Sequence, residues 1–485
     1  MGRVALPRRQ LALLLPLLGL GGLVILATIQ EAALSTVVLL VFVSVAGLAL
    51  CRRTRIRLND RALNILGEFW LLKLALTLFL LYMGWMPQLD PGSSDAWGYD
   101  PQRFYVQARE LIDNNWIPDF ASLNLNYVGI LYYYGASFYI VGYNPVVSAL
   151  VNAFVTLMAC LYLVKVGYEV KWQRGRGDWM LSFSLLLPET LWFDVMTSRE
   201  TLLAALLLFA MLQTGRYFGR MAPVSLPATV AVVGLSMLGI AAVRASMLLP
   251  VFVSIALMAW FVKPQGSRWP VKRVIVIILA GMLLVSGPVV TEYLGGYSFD
   301  LRSLLAAATS ASHNIALSDD MHWSERSIGM LLLPDGVLQA VLFLLPRMVL
   351  YLLAPLPNVY LSIGELLAGS WVAWQNLFTA LSSVINLLLA PFVLASLVRS
   401  IKMRKTNATP LVLQIPYWVT FAAISGGNLI IQERYRVMAS LLFLGCAWLG
   451  ASTCSRRQVF RASLLWYGLL SAGAIFYLSY KYVLA

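Results

Sequence analysis

Long apolar runs constrain this chain more than any other feature of its sequence. Charged residues make up only 12% of its 485 residues, whereas apolar residues make up 60%. A soluble domain carries about twice that charged fraction. Runs of about 17–22 apolar residues are long enough to cross the hydrocarbon core as helices. The sequence therefore predicts an all-α polytopic membrane protein, a single transmembrane domain over 1–485 with about 13 transmembrane helices. The predicted spans lie near 10–29, 34–50, 64–86, 145–165, 179–197, 200–216, 226–243, 245–262, 273–290, 378–398, 410–426, 437–453 and 463–480.

The loops between these spans are alternately rich and poor in lysine and arginine. With the N-terminus inside, every second loop is expected to be basic. Basic clusters occur at 52–61, 165–176, 216–220, 263–273, 399–405 and 456–461. This orientation predicts a multi-pass membrane protein whose chemistry, if it has any, lies on the non-cytoplasmic side. We expect that membrane to be the cell membrane, the plasma membrane of a bacterium. The net charge of +14 is divided among these clusters. Membrane lipids are therefore expected partners, and nucleic acid is not.

Two connections on the outward side are long, 87–144 and 291–377. Each contains an inner apolar stretch, 126–143 in the first and 336–356 in the second. We expect 126–143 to be an interfacial helix, because a span there would put the next basic loop outside. The stretch 336–356 is either interfacial or the first of two further spans, paired with 359–376.

The first outward loop carries closely spaced carboxylates, Asp90, Asp95 and Asp100, with Tyr99 beside the last. The residues that follow have the spacing of an amphipathic helix on a membrane surface. A carboxylate at this level can act as a general base towards an acceptor hydroxyl. Asp90 and Asp95 are equally compatible with turn and N-cap roles.

A second concentration of charge lies at 188–200, the outward junction of two predicted spans. Glu189 and Asp194 lie close to the membrane boundary or inside it, where ionisable groups are costly and usually functional. Arg199 and Glu200 fall in the first turn of the next helix, with Ser198 as a possible N-cap. The alternative is an ion pair of Arg199 with Asp194 or Glu189 that closes the hairpin.

Outward arginines run against the general charge pattern. Arg434 and Arg436 begin a span after a glycine-rich connection, and Arg244 lies at another outward junction. Arg347 lies inside an apolar run, where a charge needs a partner or a cavity. The guanidinium fork suits a phosphate or pyrophosphate, whereas snorkelling to lipid headgroups is the alternative.

Metal-binding residues are few. His313 and His322 are the only histidines, which excludes a multi-histidine site. Asp319 and Asp320 with His322 offer a possible divalent-cation site. The alternative is an ordinary solvated loop that binds no metal. No cofactor is otherwise expected.

Taken in order, several of these segments resemble the GT-C superfamily of polyprenyl-phosphate-dependent glycosyltransferases, which includes protein O-mannosyltransferases and aminoarabinose transferases. The resemblance is carried by 94–99 with 107–110, by 134–145 leading into Asn152, by 188 with 198–200, and by 433–436. It implies a polyprenyl-phosphate-linked sugar donor and a glycan, lipid or protein acceptor.

The resemblance also implies roles for individual residues. Asp95 would deprotonate the acceptor hydroxyl, with inversion at the anomeric carbon. Many relatives have a second acidic residue where this chain has Ala96, so Asp90 or Asp100 stays open as the base or its partner. Glu200 and Asp194 would orient the acceptor or, in some relatives, a metal. Arg434, Arg436 and Arg347 would stabilise the leaving lipid phosphate.

Two other functions are compatible with the same sequence. A polysaccharide repeat-unit polymerase or ligase would use an oligosaccharide on lipid pyrophosphate and the same outward arginines. A transporter or lipid flippase would instead place its charges along a path through the middle of the membrane.

Overall fold

A computed structural model describes residues 8–28, 33–53, 60–82, 100–118, 128–170, 183–219, 221, 224–262, 337–354, 363–404, 406–427 and 433–479. Within these ranges all regular secondary structure is helical, which confirms the all-α prediction. The α-helices in chain order are α1 (Arg8–Thr28), α2 (Ala33–Arg53), α3 (Asp60–Tyr82), α4 (Asp100–Asp113), α5 (Val128–Val141), α6 (Pro145–Glu169), α7 (Pro188–Val195), α8 (Glu200–Gly219), α9 (Leu226–Arg244), α10 (Leu248–Phe261), α11 (Val337–Leu353), α12 (Ile363–Leu367), α13 (Trp371–Met403), α14 (Leu411–Gly427), α15 (Val437–Thr453) and α16 (Arg456–Ser479). Short 3₁₀ turns lie at Ser184–Leu186, Ala245–Met247 and Glu433–Arg436.

Several of these helices have the length and composition of membrane spans. Among the described residues, 7 stretches meet both requirements: Ala33–Arg52, Asn64–Leu81, Pro145–Glu169, Glu200–Gly219, Leu226–Phe261, Trp371–Met403 and Arg434–Thr453. They mark the chain as a membrane-embedded helical protein. The larger number of thirteen spans stays a prediction, and the predicted span 273–290 lies outside the described residues.

The segment predicted as one span over 179–197 has a different form in its described part. It contains the 3₁₀ turn Ser184–Leu186 and then helix α7, which has only 8 residues. Pro188 stands at the first position of α7. Proline has no backbone N–H and fixes φ, so it suits the start of a helix and interrupts a longer one.

Helix α5 lies within the apolar stretch 126–143 of the first outward loop. It has 14 residues. At 1.5 Å per residue it is about 21 Å long, which is shorter than the roughly 30 Å of hydrocarbon in a bilayer. Helix α11, in the stretch 336–356, has 17 residues.

The chain forms two compact units, and helices α8, α10 and α13 contribute residues to both. The first unit comprises 1–213, 225–248 and 358–382. In it, α2 packs against α1, α3 and α6, while α7 packs against α3 and α6. Helix α4 packs on α5 through a buried cluster that includes Phe104, Tyr105, Tyr134 and Phe138.

The second unit comprises 214–224, 249–357 and 383–485. Helix α14 packs against both α11 and α15 in this unit. Helices α13 and α15 approach closely at Gly450, where an added Cβ would lie 2.1 Å from the carbonyl oxygen of Phe392. Glycine at this position therefore permits backbone-to-backbone packing that no other residue would allow.

Candidate functional site

A buried ion pair lies at the centre of the first unit. Lys73 Nζ, on α3, is 2.5 Å from Asp194 Oδ2, on α7, and both side chains are fully buried. The same ammonium donates to the carbonyl oxygen of Leu185 at 3.2 Å. Asp194 Oδ1 accepts hydrogen bonds from Thr156 at 2.8 Å and Thr201 at 2.9 Å. Removing one partner from such a pair leaves an uncompensated buried charge, which is strongly destabilising.

The backbone that follows Asp194 is fixed by two side chains of neighbouring helices. Asn152 Nδ2, on α6, donates to the carbonyl oxygens of Met196 at 2.8 Å and Asp194 at 3.2 Å. Tyr134 OH, on α5, donates to the carbonyl oxygen of Ser198 at 2.6 Å. These bonds satisfy carbonyl groups that the irregular segment 196–199 cannot pair within a helix. The segment thus has a defined path between α7 and α8.

Arg199 contacts one carboxylate at the start of α4 and another at the start of α8. Its Nη2 lies 3.8 Å from Asp100 Oδ2, and its Nε lies 3.7 Å from Glu200 Oε1. The Arg199 and Glu200 side chains are almost wholly buried, whereas that of Asp100 is 23% exposed. These are ion-pair distances, longer than hydrogen bonds. Among the described residues, Glu200 Oε1 accepts no hydrogen bond although it is buried.

Helix α4, which Asp100 begins, is held in place by aromatic contacts. The rings of Tyr105 and Tyr143 stack with centroids 4.3 Å apart, and Tyr143 OH donates to the carbonyl oxygen of Tyr105 at 3.2 Å. Burial raises the pKa of Tyr143 to about 12. Arg109 lies over the Tyr143 ring at 4.9 Å. These contacts attach the middle of α4 to the residues that follow α5.

Glu189 and Arg244 also belong to the first unit. Glu189 is fully buried in the first turn of α7, and its backbone N–H donates to Ser382 Oγ at 2.8 Å. Arg244 ends α9, which packs against α5. Its side chain is half-buried.

In the second unit, two predicted phosphate ligands bind main-chain carbonyls. Arg436 Nη1 donates to the carbonyl oxygen of Ala354 at 2.7 Å and to Ser383 Oγ at 2.9 Å, and reaches two more carbonyls in the last turn of α11. Arg347 Nε, on α11, donates to the carbonyl oxygen of Ser425 at 2.7 Å, near the end of α14. Cations stabilise helix C-termini in this way, because unpaired carbonyls and the negative end of the dipole meet there.

Arg434 differs from these two buried arginines. Its side chain is half-buried, its guanidinium lies over the Tyr435 ring at 5.0 Å, and its Nη2 donates to Tyr435 OH at 3.1 Å. A guanidinium over an aromatic ring gains a cation–π attraction.

Several predicted residues lie outside the described part of the chain. These are Asp90, Asp95 and Tyr99 of the first outward loop and the possible cation ligands Asp319, Asp320 and His322 of the second. Among the residues that the structure does describe, no group of three or more histidine, cysteine, aspartate or glutamate residues is arranged to hold a metal ion.

Lys73 was not among the residues that sequence reasoning singled out. A signal for it was present, since Lys73 interrupts an apolar run with a charge in the middle of a predicted span. Such a residue is costly in a membrane helix unless it is paired. Its partner, Asp194, was selected for the same reason. The sequence around each residue gives no indication that Lys73 and Asp194 form an ion pair.

Comparison with protein-family models, with curated proteins and with solved structures gave no significant match. The class of the protein therefore follows from its own helices, which define an all-α chain embedded in a membrane. Its candidate site is the group of charged residues around the 194–201 segment.

Proposed function

We propose that this protein is a membrane glycosyltransferase of the GT-C type. It would move a sugar from a polyprenyl-phosphate-linked donor to a glycan, lipid or protein acceptor on the non-cytoplasmic face. The observation that carries the proposal is the contact of Arg199 with Asp100 and Glu200, at 3.8 and 3.7 Å. One guanidinium thereby contacts both a carboxylate of the first predicted outward loop and a carboxylate at the start of α8.

Glu200 is the residue we assign to the acceptor. Its Oε1 accepts no hydrogen bond from the described residues, and it lies in a buried position next to a guanidinium. A buried carboxylate oxygen with unused acceptor capacity suits a sugar or serine hydroxyl as its donor. In this role Glu200 fixes the direction from which the acceptor oxygen approaches the anomeric carbon.

Asp95 remains our choice for the general base. Asp100 lies 3.8 Å from Arg199 and is held by that contact. Asp100 therefore suits an orienting role, with Asp90 as the further alternative for the base. The base accepts the acceptor's proton as the new glycosidic bond forms and the bond to the lipid phosphate breaks.

Arg434 is the residue we assign to the lipid phosphate. Arg436 and Arg347 donate to main-chain carbonyls, whereas Arg434 lies on the ring of Tyr435 and is half-buried. Charge grows on the phosphate oxygen as the sugar leaves, and a positioned guanidinium stabilises that charge.

The experiment compares carboxylate variants in cells. Asp95→Asn and Glu200→Gln are expected to stop glycan transfer and to make a lipid-linked sugar accumulate, while the protein still inserts in the membrane. Asp113→Asn is the matched control, because Asp113 lies at the exposed end of the same helix as Asp100 and pairs only at the surface with Arg109. Normal transfer in both site variants would refute the proposal.

The same measurement separates the alternatives. A polymerase or ligase would accumulate an oligosaccharide on lipid pyrophosphate instead of a single sugar on lipid phosphate. The transporter or flippase hypothesis is favoured by one observation, the Lys73–Asp194 pair among apolar helices. It predicts that a lipid-linked sugar accumulates on the cytoplasmic leaflet, whereas the transferase leaves it on the outer leaflet.

A further inference from the structure

We propose that Lys73 is a positioning residue whose ammonium, through Asp194, fixes the segment that carries Arg199 and Glu200. The chemical importance of those two residues rests on the proposed function. The positioning itself rests only on contacts within the first unit.

The first step is the arrangement around Asp194. One of its oxygens binds Lys73 at 2.5 Å, and the other accepts from Thr156 on α6 and from Thr201 on α8. A single carboxylate therefore joins α3, α6, α7 and the start of α8. The ammonium of Lys73 compensates the charge of this buried carboxylate.

The second step leads from Asp194 to the candidate site. Thr201 is the residue directly after Glu200, so its hydrogen bond to Asp194 sets the first turn of α8. Asn152 holds the carbonyls of Asp194 and Met196 on the other side of the segment. Arg199 and Glu200 lie between these two attachments.

The third step is what loss of the ammonium would do. Without Lys73, Asp194 would take up a proton or move towards water. Either change weakens the hydrogen bond that Asp194 accepts from Thr201. Arg199 and Glu200 would lose their fixed geometry while the helices around them still pack through apolar side chains. Loss of both charges together leaves a neutral pair, which a membrane interior tolerates.

The test measures local opening with a thiol reagent. Ser198→Cys reports on the segment, since Ser198 is 2% exposed, and Ser236→Cys on α9 is the matched control, since Ser236 is 5% exposed in the same unit. Both are made in a chain with Cys454→Ser, because Cys454 is the partly exposed native thiol. N-ethylmaleimide labelling of the purified full chain in detergent is read for each peptide by mass spectrometry.

Lys73→Met is expected to raise the labelling rate at position 198 by roughly tenfold or more while the rate at 236 changes little. The double change Lys73→Met with Asp194→Asn is expected to return the rate at 198 towards its original value, since asparagine keeps an acceptor for the two threonine hydroxyls. Where Lys73→Met does not insert, Asp194→Ala alone replaces it, because it removes the acceptor of both threonine hydroxyls and leaves Lys73 without its counterion.

Three results would overturn the inference. These are an unchanged rate at 198 in the single variants, a parallel rise at 198 and 236 that reports general loosening, and a double variant that stays as open as the single ones. Accumulation of lipid-linked sugar is measured in parallel. If labelling behaves as expected but neither Lys73→Met nor Glu200→Gln accumulates such a sugar, the proposed function fails and the positioning role stands.

Discussion

Arg436 Nη1 donates a hydrogen bond to the carbonyl oxygen of Ala354 at 2.7 Å, directly after the end of α11. The arginine begins α15, and its side chain is 2% exposed. A residue that the sequence marks as a phosphate ligand therefore closes the end of another helix in the second unit. A substitution of Arg436 should therefore lower the stability of the folded protein before it affects phosphate binding.

Arg436→Met is expected to destabilise the protein by roughly 3 kcal/mol or more, because several carbonyls and Ser383 lose a charged donor. Thermal unfolding in detergent, followed by size-exclusion chromatography, measures the effect. A variant with an unchanged melting temperature and abolished glycan transfer would instead assign Arg436 to the phosphate.

Arg434→Gln is expected to leave the melting temperature almost unchanged and to lower glycan transfer by about a hundredfold, the usual cost of one transition-state donor. Its contact with Tyr435 is local and half-exposed, which explains the small effect on stability. Tyr435→Phe is the control, since it keeps the ring under the guanidinium. Full transfer in the Arg434 variant would contradict the phosphate assignment.

Asn152→Leu is expected to lower stability by about 2–3 kcal/mol, because it removes the amide that holds the carbonyls of Asp194 and Met196 and leaves them buried without that donor. Tyr134→Phe removes one hydroxyl, the donor to the Ser198 carbonyl, and should cost roughly 1 kcal/mol. Both are read from thermal unfolding. The critical outcome is which variant loses more stability. A larger loss of stability in Tyr134→Phe would show that Asn152 is not the main residue that holds the 194–199 backbone.

Gly450→Ala is expected to destabilise the second unit by about 1–3 kcal/mol, because the new Cβ would meet the Phe392 carbonyl at 2.1 Å and force two backbones apart. Gly468→Ala on α16 is the matched control, since no atom lies within 4 Å of a Cβ built there. It should be neutral or slightly stabilising, because alanine favours a helix. Equal melting temperatures in the two variants would rule out the close packing.

Hydropathy predicted much of the helical framework and missed where apolar segments break. The predicted span 437–453 coincides with α15, and 145–165 lies within α6. By contrast, the apolar composition of 179–197 predicts one span, because it outweighs the single proline within it. The described part is interrupted at Pro188, where α7 begins.

Charge patterns predicted which residues need partners but not which partners they have. Asp194 and Arg347 stand out because charges inside a membrane are costly, and Arg436 stands out because outward positive charge runs against the general pattern. Their contacts with Lys73, Ser425 and Ala354 join segments far apart in the sequence, and only packing brings them together. The alternative of an Arg199 pair with Asp194 likewise followed from nearness in sequence, whereas Asp194 is bound by Lys73.

The Lys73–Asp194 pair also has a consequence for biogenesis. Helix α3 is synthesised well before α7, so Lys73 reaches the insertion machinery while its counterion has not yet been made. A lone lysine at the centre of an inserting helix costs about 2.5–3.5 kcal/mol. Helix α3 is therefore expected to remain beside the translocon until the segment with Asp194 emerges. The assembly of these helices would then depend on the order in which they are synthesised.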